Sequence, residues 1–136
     1  MRTRDQELAS AIFAQMMNLR GSVQASSYGS LAHTLPVLIH TSGLAQALAF
    51  VDSRHTGDGP GQFLEDLSQV VLAQPAAAFL QRVRESEVRE YLYLTDRTLA
   101  ALLWYKRYAQ SILGIAQGQN SEQDAQGGGK GGDHEV

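Results

Sequence analysis

The sequence predicts an all-α protein, a compact bundle of five to seven short helices. Apolar residues recur at intervals of three and four over most of the chain, which is the periodicity of an amphipathic helix. The alternation of β-branched and polar residues that marks a strand is nearly absent. The length of 136 residues suits one domain with a single modest core. We predict a helical domain over residues 1–116, followed by a flexible, Gly-rich acidic tail over 117–136.

Three helices are predicted in the first 53 residues. The first spans 4–19, because Thr3 and Gln6 have the spacing of a capping box and an apolar stripe follows. The second spans 28–41 and contains Pro36, which predicts a kink or a break. The third spans 44–53 and is apolar nearly all round, so we expect it to lie deep in the core or at an interface.

The second half is predicted to be helical but more interrupted. Glycines and a proline indicate a loop over 55–61, and helices are predicted over 63–73 and 76–84. One or two helical turns are expected over 88–93. Thr95 and Asp96 are candidate caps for a last helix over 97–116.

The predicted last helix has two apolar arcs. One arc holds Leu99, Leu102, Leu103, Ala109 and Leu113, and the other holds Trp104, Tyr105, Tyr108 and Ile112. A peripheral helix needs only one apolar face, so this helix is either central or turned toward a partner. Tyr and Trp are enriched at interfaces, which favours the partner. The candidate interface residues are therefore Trp104, Tyr105 and Tyr108, with Phe50 from the apolar third helix.

Charge and composition narrow the class of protein. The net charge is −3, and the segment 121–136 alone holds four acidic residues and one lysine. Removing these from totals of 14 acidic and 11 basic residues leaves ten of each, so residues 1–120 are neutral. The chain has no cysteine, which excludes disulfides and thiolate chemistry. No apolar run approaches the ~20 residues of a membrane span, and we expect a soluble, cytoplasmic protein.

No pattern in the sequence indicates an enzyme. His33 and His40 are seven residues apart, whereas a helical metal pair is usually four apart, so ordinary histidines are the better interpretation. The carboxylates of Glu85, Glu87 and Glu90 are interleaved with arginines, which is typical of a solvated, salt-bridged helix face. The glycine-rich segments do not have the spacing of a phosphate-binding loop. We predict no catalytic residue, no metal and no cofactor.

Basic residues are the remaining candidates for a binding role. Cationic side chains can follow a phosphate backbone, and neighbouring aromatic rings can stack on bases. The candidates for RNA contacts are Arg2, Arg4, Arg20, Lys106 and Arg107. Spacing alone favours the simpler interpretation, in which these residues are solvated surface charges.

Two stretches carry a resemblance to a known family. Residues 28–50 are similar to the pattern Y-x-x-L-A-x-x-L-P-x-L-I-x-x-x-G-L-x-x-A-L-x-F, and residues 91–109 to Y-L-x-L-T-x-x-x-L-x-x-L-x-W-x-K-R-x-A. These patterns resemble those of the small subunit of type III-B CRISPR effector complexes, the fifth Cmr protein. With the N-terminal helix, the resemblance covers most of residues 1–115. The chain departs from the family in residues 21–27, which carry no charge where members often have several lysines.

The resemblance implies a helical, non-catalytic subunit with a role in antiviral defence. Copies would stack head to tail beside other Cmr subunits and help to hold the duplex of guide and target RNA. The uncharged segment before Tyr28 implies weak RNA binding by one copy and useful binding only when many copies align. Two alternatives remain open at this point: a helical protein–protein adaptor without RNA binding, and a small hydrolase with an unrecognised site.

Overall fold

A computed structural model describes residues 1–54 and 58–116, and the described residues form a bundle of six α-helices without strands. The all-α prediction is therefore confirmed. The predicted tail, 117–136, and residues 55–57 of the predicted loop lie outside the described residues. The helices are α1 (Arg4–Leu19), α2 (Ala25–Ser42), α3 (Leu44–Ser53), α4 (Asp58–Leu72), α5 (Ala76–Glu85) and α6 (Val88–Ser111). None of these helices is long and apolar enough to cross a membrane.

Helix α1 has the predicted bounds and the predicted cap. The Gln6 amide donates to Thr3 Oγ1 over 3.1 Å, and the Thr3 amide donates to Gln6 Oε1 over 2.8 Å, so both sides of the capping box are present. The predicted apolar stripe is buried: Leu8, Ile12, Met16 and Leu19. The chain leaves the helix through Gly21, whose φ of +80° favours glycine.

Helix α2 begins three residues before its predicted start and ends one residue after its predicted end. It is continuous through Pro36, so of the kink or break predicted there the break is excluded. The proline forfeits the bond to the carbonyl of Ala32, but α2 packs on α3, α4 and α6, and this packing outweighs the local preference. Helix α3 has its predicted bounds, ten residues long.

Helix α4 begins within the predicted loop, so the loop prediction is wrong for residues 58–61. Gly59 is buried, and a Cβ built on it would collide with the Ser27 hydroxyl oxygen. The glycine serves a close approach between the beginnings of α2 and α4 and does not form a turn. Helix α5 begins at Ala76, whose amide donates to both carboxylate oxygens of Glu65 over 3.2 Å.

Helix α6 begins nine residues before its predicted start and ends at Ser111, five residues before its predicted end. Thr95 and Asp96 therefore do not cap it. The Thr95 hydroxyl donates to the Tyr91 carbonyl over 2.8 Å, an arrangement that Thr adopts inside helices. After Ser111 the chain turns back at Gly114, whose φ is +72°, and the Ile115 amide donates to the Ala109 carbonyl over 2.9 Å.

Helix α6 packs on α1, α2 and α4. Its buried residues are Leu94, Thr98, Ala101, Leu102, Tyr105 and Ala109. This buried face lies between the two apolar arcs predicted from the sequence and takes residues from both: Leu102 and Ala109 from the first arc and Tyr105 from the second. The remaining residues of the two arcs lie at the edges of this face.

Candidate interaction surfaces

The first exposed surface is an aromatic face formed by α1 and α6, which comprises Phe13, Trp104, Tyr108 and Arg107. The rings of Phe13 and Tyr108 meet edge to face with centroids 5.6 Å apart, and the Tyr108 and Trp104 centroids are 5.7 Å apart. The guanidinium of Arg107 lies 5.6 Å from the Trp104 ring centroid, within the range of a cation–π contact. Phe13 is 45% exposed, so the face is open to solvent.

The aromatic face is also part of the packing between α1 and α6. The Trp104 indole N–H donates to Asp5 Oδ1 over 2.9 Å, which joins the beginning of α1 to α6. Trp104 and Tyr108 are half-buried. Tyr105, by contrast, lies in the core with no exposed surface, and its hydroxyl donates to Gln15 Oε1 over 2.5 Å. Its burial corrects its assignment to the candidate interface.

A second exposed surface is the aliphatic stripe of α6, which comprises Val88, Leu92, Leu99 and Leu103. The exposed fractions are 74% for Val88, 58% for Leu92 and 50% for Leu103, and Leu99 is half-buried. Intervals of four, seven and four place these side chains on one helix face. The predicted last helix begins only at Arg97, so the prediction does not include this stripe. The pair Val88 and Leu92, four apart, was the available signal.

Phe50, the remaining interface candidate, lies near the end of α3. Its side chain is 40% exposed, and the Arg54 guanidinium lies 5.3 Å from its ring centroid. Helix α3 was predicted to lie in the core or at an interface. One face of it is in the core, with Leu44, Ala47, Leu48 and Val51 buried, whereas Phe50 faces solvent.

Three of the five basic candidates lie around the first half of α1. Arg2 is exposed and donates to Ser10 Oγ over 3.3 Å. Arg4 is exposed and lines a small cleft of about 260 Å³ with Arg97. Arg107 belongs to the same side of the molecule, because Trp104 beneath it is bonded to Asp5 of α1.

The other two basic candidates lie elsewhere. Arg20 is exposed at the far end of α1, and a helix of 16 residues rises about 24 Å. Lys106 is half-buried and is two positions from Trp104, roughly 200° around the helix. The structure therefore does not gather the five candidates into one patch.

A polar cluster that the sequence analysis did not anticipate lies under α2, α4 and α6. The Tyr28 hydroxyl donates to Asp66 Oδ2 over 2.6 Å, and Gln62 donates to Asp66 Oδ1 over 2.8 Å. The rings of Tyr28 and Phe63 are 4.9 Å apart, and those of Phe63 and Tyr105 are 5.1 Å apart. Burial raises the pKa of Tyr28 and of Tyr105 far above the ordinary value, so both stay neutral phenols.

The segment after α6 packs against α2. A Cβ built on Gly29 would lie 2.9 Å from Ile115 Cγ1, so the absence of a side chain at Gly29 makes room for Ile115. His33, which is 5% exposed, places Nε2 2.8 Å from the Ile115 carbonyl oxygen. A carbonyl only accepts, so Nε2 carries the proton and Nδ1 is left without a partner. His33 thus joins α2 to the segment after α6.

The acidic residues singled out in the sequence lie where α5 meets α6. Glu90 accepts a hydrogen bond from Arg82 Nε over 2.6 Å, in an exposed ion pair. Glu85 and Glu87 line an open cleft of about 750 Å³ with Arg82 and Glu90. Within residues 1–54 and 58–116 no group of His, Asp or Glu side chains is arranged to hold a metal ion.

The described residues thus form a small helical bundle with two exposed apolar surfaces, one on α6 and one shared by α1 and α6. Residues 4–112 match the family model described as CRISPR-associated protein (Cas_Cmr5). The chain is 38% identical over 117 residues to the CRISPR system Cmr subunit Cmr5 of Thermus thermophilus, covering 83% of this chain and 98% of that protein. The protein belongs to the Cmr5 family of CRISPR-associated proteins.

A solved structure gives the same result for the fold. The crystal structure of a CRISPR-associated Cmr5 family protein, also from Thermus thermophilus, superposes with a TM-score of 0.78 at 37% identity. The superposition covers 83% of this chain and 99% of that one. The family resemblance predicted from residues 28–50 and 91–109 is therefore confirmed.

A hydrogen bond joins those two sequence blocks in the structure. Gly43, with φ of +86°, caps α3 without a side-chain bond. The Ala45 amide, which would otherwise lack a partner, donates to the Tyr91 hydroxyl over 3.0 Å. A Cβ on Gly43 would lie 3.1 Å from that hydroxyl. Tyr91, in the second sequence block, thus accepts a hydrogen bond at the beginning of α3, the helix that follows Gly43 of the first block.

Proposed function

We propose that the protein is a non-catalytic structural subunit of a Cmr-type CRISPR effector complex in the cytoplasm. In this role it stacks with copies of itself and with other Cmr subunits, and it helps to hold the duplex of guide and target RNA for antiviral defence. The observation that carries the proposal is the match to a named Cmr subunit over 98% of that protein's length. A relative of that extent supports the same place in a complex.

The exposed surfaces of α6 support the protein-contact part of the proposal. The aliphatic stripe exposes three aliphatic side chains by half or more, and the aromatic face exposes Phe13 by 45%. Contiguous apolar surface of this kind marks contact sites in proteins that act within assemblies. Two such surfaces on one helix suit a subunit with a neighbour on each side, since a head-to-tail contact uses two different patches.

The basic residues support a weak, shared role in RNA binding. Arg2, Arg4 and Arg107 lie near one another, whereas Arg20 is about 24 Å further along α1. Residues 1–120 are neutral overall, so one copy has little long-range attraction for phosphate. Several copies in a row would repeat the same few cations along a duplex and add their contacts.

The first experiment is purification of the tagged subunit from cells that express the complex, followed by identification of bound proteins and sequencing of bound RNA. Recovery of other CRISPR subunits with guide RNA is expected. Recovery of proteins without RNA would favour the alternative, a protein–protein adaptor, which the neutral charge of residues 1–120 also suits. Recovery of the subunit alone, from cells shown to contain the complex, would refute both.

The RNA contacts are tested separately by mobility shift of the assembled array over a range of salt concentrations. Arg20→Ala and Arg107→Ala are expected to weaken binding and to lower the salt dependence by about one phosphate contact each. Arg84→Ala, which removes an exposed arginine of α5, is the matched control and should leave binding unchanged. Equal binding by all three variants would remove Arg20 and Arg107 as contacts.

A further inference from the structure

A small cleft of about 260 Å³ opens between the first turns of α1 and the first half of α6. Residues of both helices line it: Arg4, Leu8, Tyr93, Asp96, Arg97 and Ala100. Water fills about 30 Å³ per molecule in the liquid, so the cleft has room for a small ion with part of its hydration shell. Arg4 is one of the basic candidates of the sequence, and the fold brings a second arginine, Arg97, to the same cleft.

Uncharged partners hold the Arg97 side chain in place. Its Nε–H donates to the Val71 carbonyl over 3.2 Å, and its guanidinium carbon lies 5.8 Å from the centroid of the Tyr93 ring. A guanidinium has five N–H donors, so the four on the two Nη atoms are not used by the bond to Val71. Since the group is already oriented, an anion that binds to it immobilises little additional side-chain motion.

The charges that line the cleft favour an anion. Within residues 1–54 and 58–116, neither Arg4 nor Arg97 forms an ion pair. Asp96 supplies one carboxylate to the lining, and its side chain is exposed. Two positive charges therefore meet one negative charge, and an anion bound against both guanidinium groups gains more attraction than it meets repulsion.

We propose that this cleft binds a phosphodiester group of the RNA, with Arg4 and Arg97 as its contacts. The fork of N–H donors on a guanidinium matches two oxygens of one phosphate, and an RNA strand carries one such charge at each nucleotide. Tyr93 is 51% exposed beside Arg97, and an exposed ring can stack on the base next to a bound phosphate. This pairing of ring and cation favours RNA over an acidic peptide, and the choice of RNA as the ligand rests on the proposed function.

The cleft continues the aromatic face along α6. Arg97 and Trp104 are seven residues apart, which places them on one side of the helix and about 10 Å apart along its axis. Trp104 donates to Asp5 of α1, so the cleft and the aromatic face border the same part of α1. A strand that contacts Arg97 can therefore continue toward Arg107, which lies over Trp104.

Titration of dimethyl phosphate into the isolated ¹⁵N-labelled protein tests the anion site by NMR. We expect a saturable shift of the Arg97 Nε–H signal, which the bond to Val71 protects from exchange with water. A short oligouridylate is the second probe and should shift the same signal together with the ring signals of Tyr93. Absence of a saturable shift with dimethyl phosphate would overturn the site, and an oligouridylate that moves neither signal would overturn its assignment to RNA.

Variants with opposite expected effects separate the site from general charge effects. Arg97→Gln should weaken dimethyl phosphate binding about tenfold, and Arg4→Gln, at an exposed position, about threefold. Asp96→Asn should strengthen binding about twofold, because it removes the negative charge of the lining. Arg84→Gln and Asp52→Asn change exposed charges on α5 and α3, and these controls should bind like the wild type. Unchanged binding in both Arg4→Gln and Asp96→Asn, which alter exposed side chains, contradicts the proposal even if Arg97→Gln does not fold.

Mobility shift of the assembled array separates this inference from the proposed function. Arg97→Gln should lower the salt dependence of RNA binding by about one phosphate contact. If the wild-type array binds RNA and Arg97→Gln has the same salt dependence, the phosphodiester site is refuted while the proposed function stands. If the wild-type array binds no RNA, the proposed function fails, and the assignment of the cleft to RNA fails with it.

Discussion

The two ends of α6 are built differently. Toward its end, Tyr105 is fully buried and bonded to Gln15, and Trp104 is bonded to Asp5. Toward its beginning, Val88, Leu92 and Tyr93 are 74%, 58% and 51% exposed. The second half of α6 therefore carries more of the side-chain bonds that join it to α1, and the first half presents more apolar side chains to solvent, although Leu103 in the second half is also 50% exposed.

We therefore expect different residues of α6 to contribute to the stability of the bundle and to contacts with neighbouring proteins. Substitutions near the end of α6 should change the free energy of unfolding, since they remove contacts within the bundle. Substitutions on the aliphatic stripe should leave that free energy nearly unchanged and affect association with neighbours. Variants of both regions test this division.

The largest effect is expected from Tyr105→Ala. Loss of a fully buried aromatic side chain leaves a cavity beside Phe63 and Tyr28, and we expect a loss of about 3–5 kcal/mol in the free energy of unfolding. Urea denaturation measures it. Tyr105→Phe keeps the ring and should lose only about 1 kcal/mol with the bond to Gln15. Equal losses in the two variants would show that the ring packing contributes little.

The effect of Gly29→Ala on the free energy of unfolding is expected to change sign with the residue at position 115. In the wild type the new methyl group meets Ile115 at 2.9 Å, and displacement of that segment should cost about 1 kcal/mol net. In an Ile115→Gly background all three obstructing side-chain atoms, Cβ, Cγ1 and Cγ2, are absent, and Ala at position 29 should then stabilise α2 by about 0.5–1 kcal/mol. A double-mutant cycle from thermal denaturation measures the coupling. Additive effects would mean that the contact with residue 115 does not constrain position 29.

Trp104→Phe should have a moderate effect. Phenylalanine keeps a ring against Tyr108 but cannot donate to Asp5, so we expect a loss of about 0.5–1.5 kcal/mol. Asp5→Asn, which keeps an acceptor, is the control and should cost less in the same denaturation experiment. A larger loss for Asp5→Asn than for Trp104→Phe would assign the effect to the charge near the beginning of α1.

The smallest effect on stability is expected from Leu92→Gln and Leu103→Gln. Both side chains are at least half exposed, so each variant should unfold within about 0.5 kcal/mol of the wild type. Both should nevertheless reduce co-purification with neighbouring subunits, since they place a polar amide in an apolar contact. Normal co-purification by the double variant would exclude the aliphatic stripe as a contact.

The sequence predicted elements well where local signals agreed with tertiary packing. In α1 the capping box and the apolar stripe indicate the same helix, and its bounds are those predicted. Predictions failed where a residue acts over distance. Gly59 has the local character of a loop residue, but it allows two helices to approach closely. Thr95 resembles a cap, yet its hydroxyl bonds to a carbonyl four residues earlier.

The candidate sites show the same limit. Residue type suggested Trp104, Tyr105 and Phe50 as interface residues, but it did not distinguish the fully buried Tyr105 from the half-buried Trp104 and the exposed Phe50. The buried face of α6 includes Thr98 and Ala101, to which hydrophobicity patterns give little weight. The Asp66 cluster joins the side chains of Tyr28 and Asp66, which are 38 residues apart in the chain, so no local pattern indicates it.

The Ala45 amide donates to the Tyr91 hydroxyl, so hydrogen exchange at this amide reports on the motion of α6. That amide is at the beginning of α3, where no helix carbonyl is available to it. Its exchange with solvent deuterium therefore requires Tyr91 to withdraw, and with it the first part of α6. The exchange rate of this single amide would report how often the first part of α6 leaves the bundle.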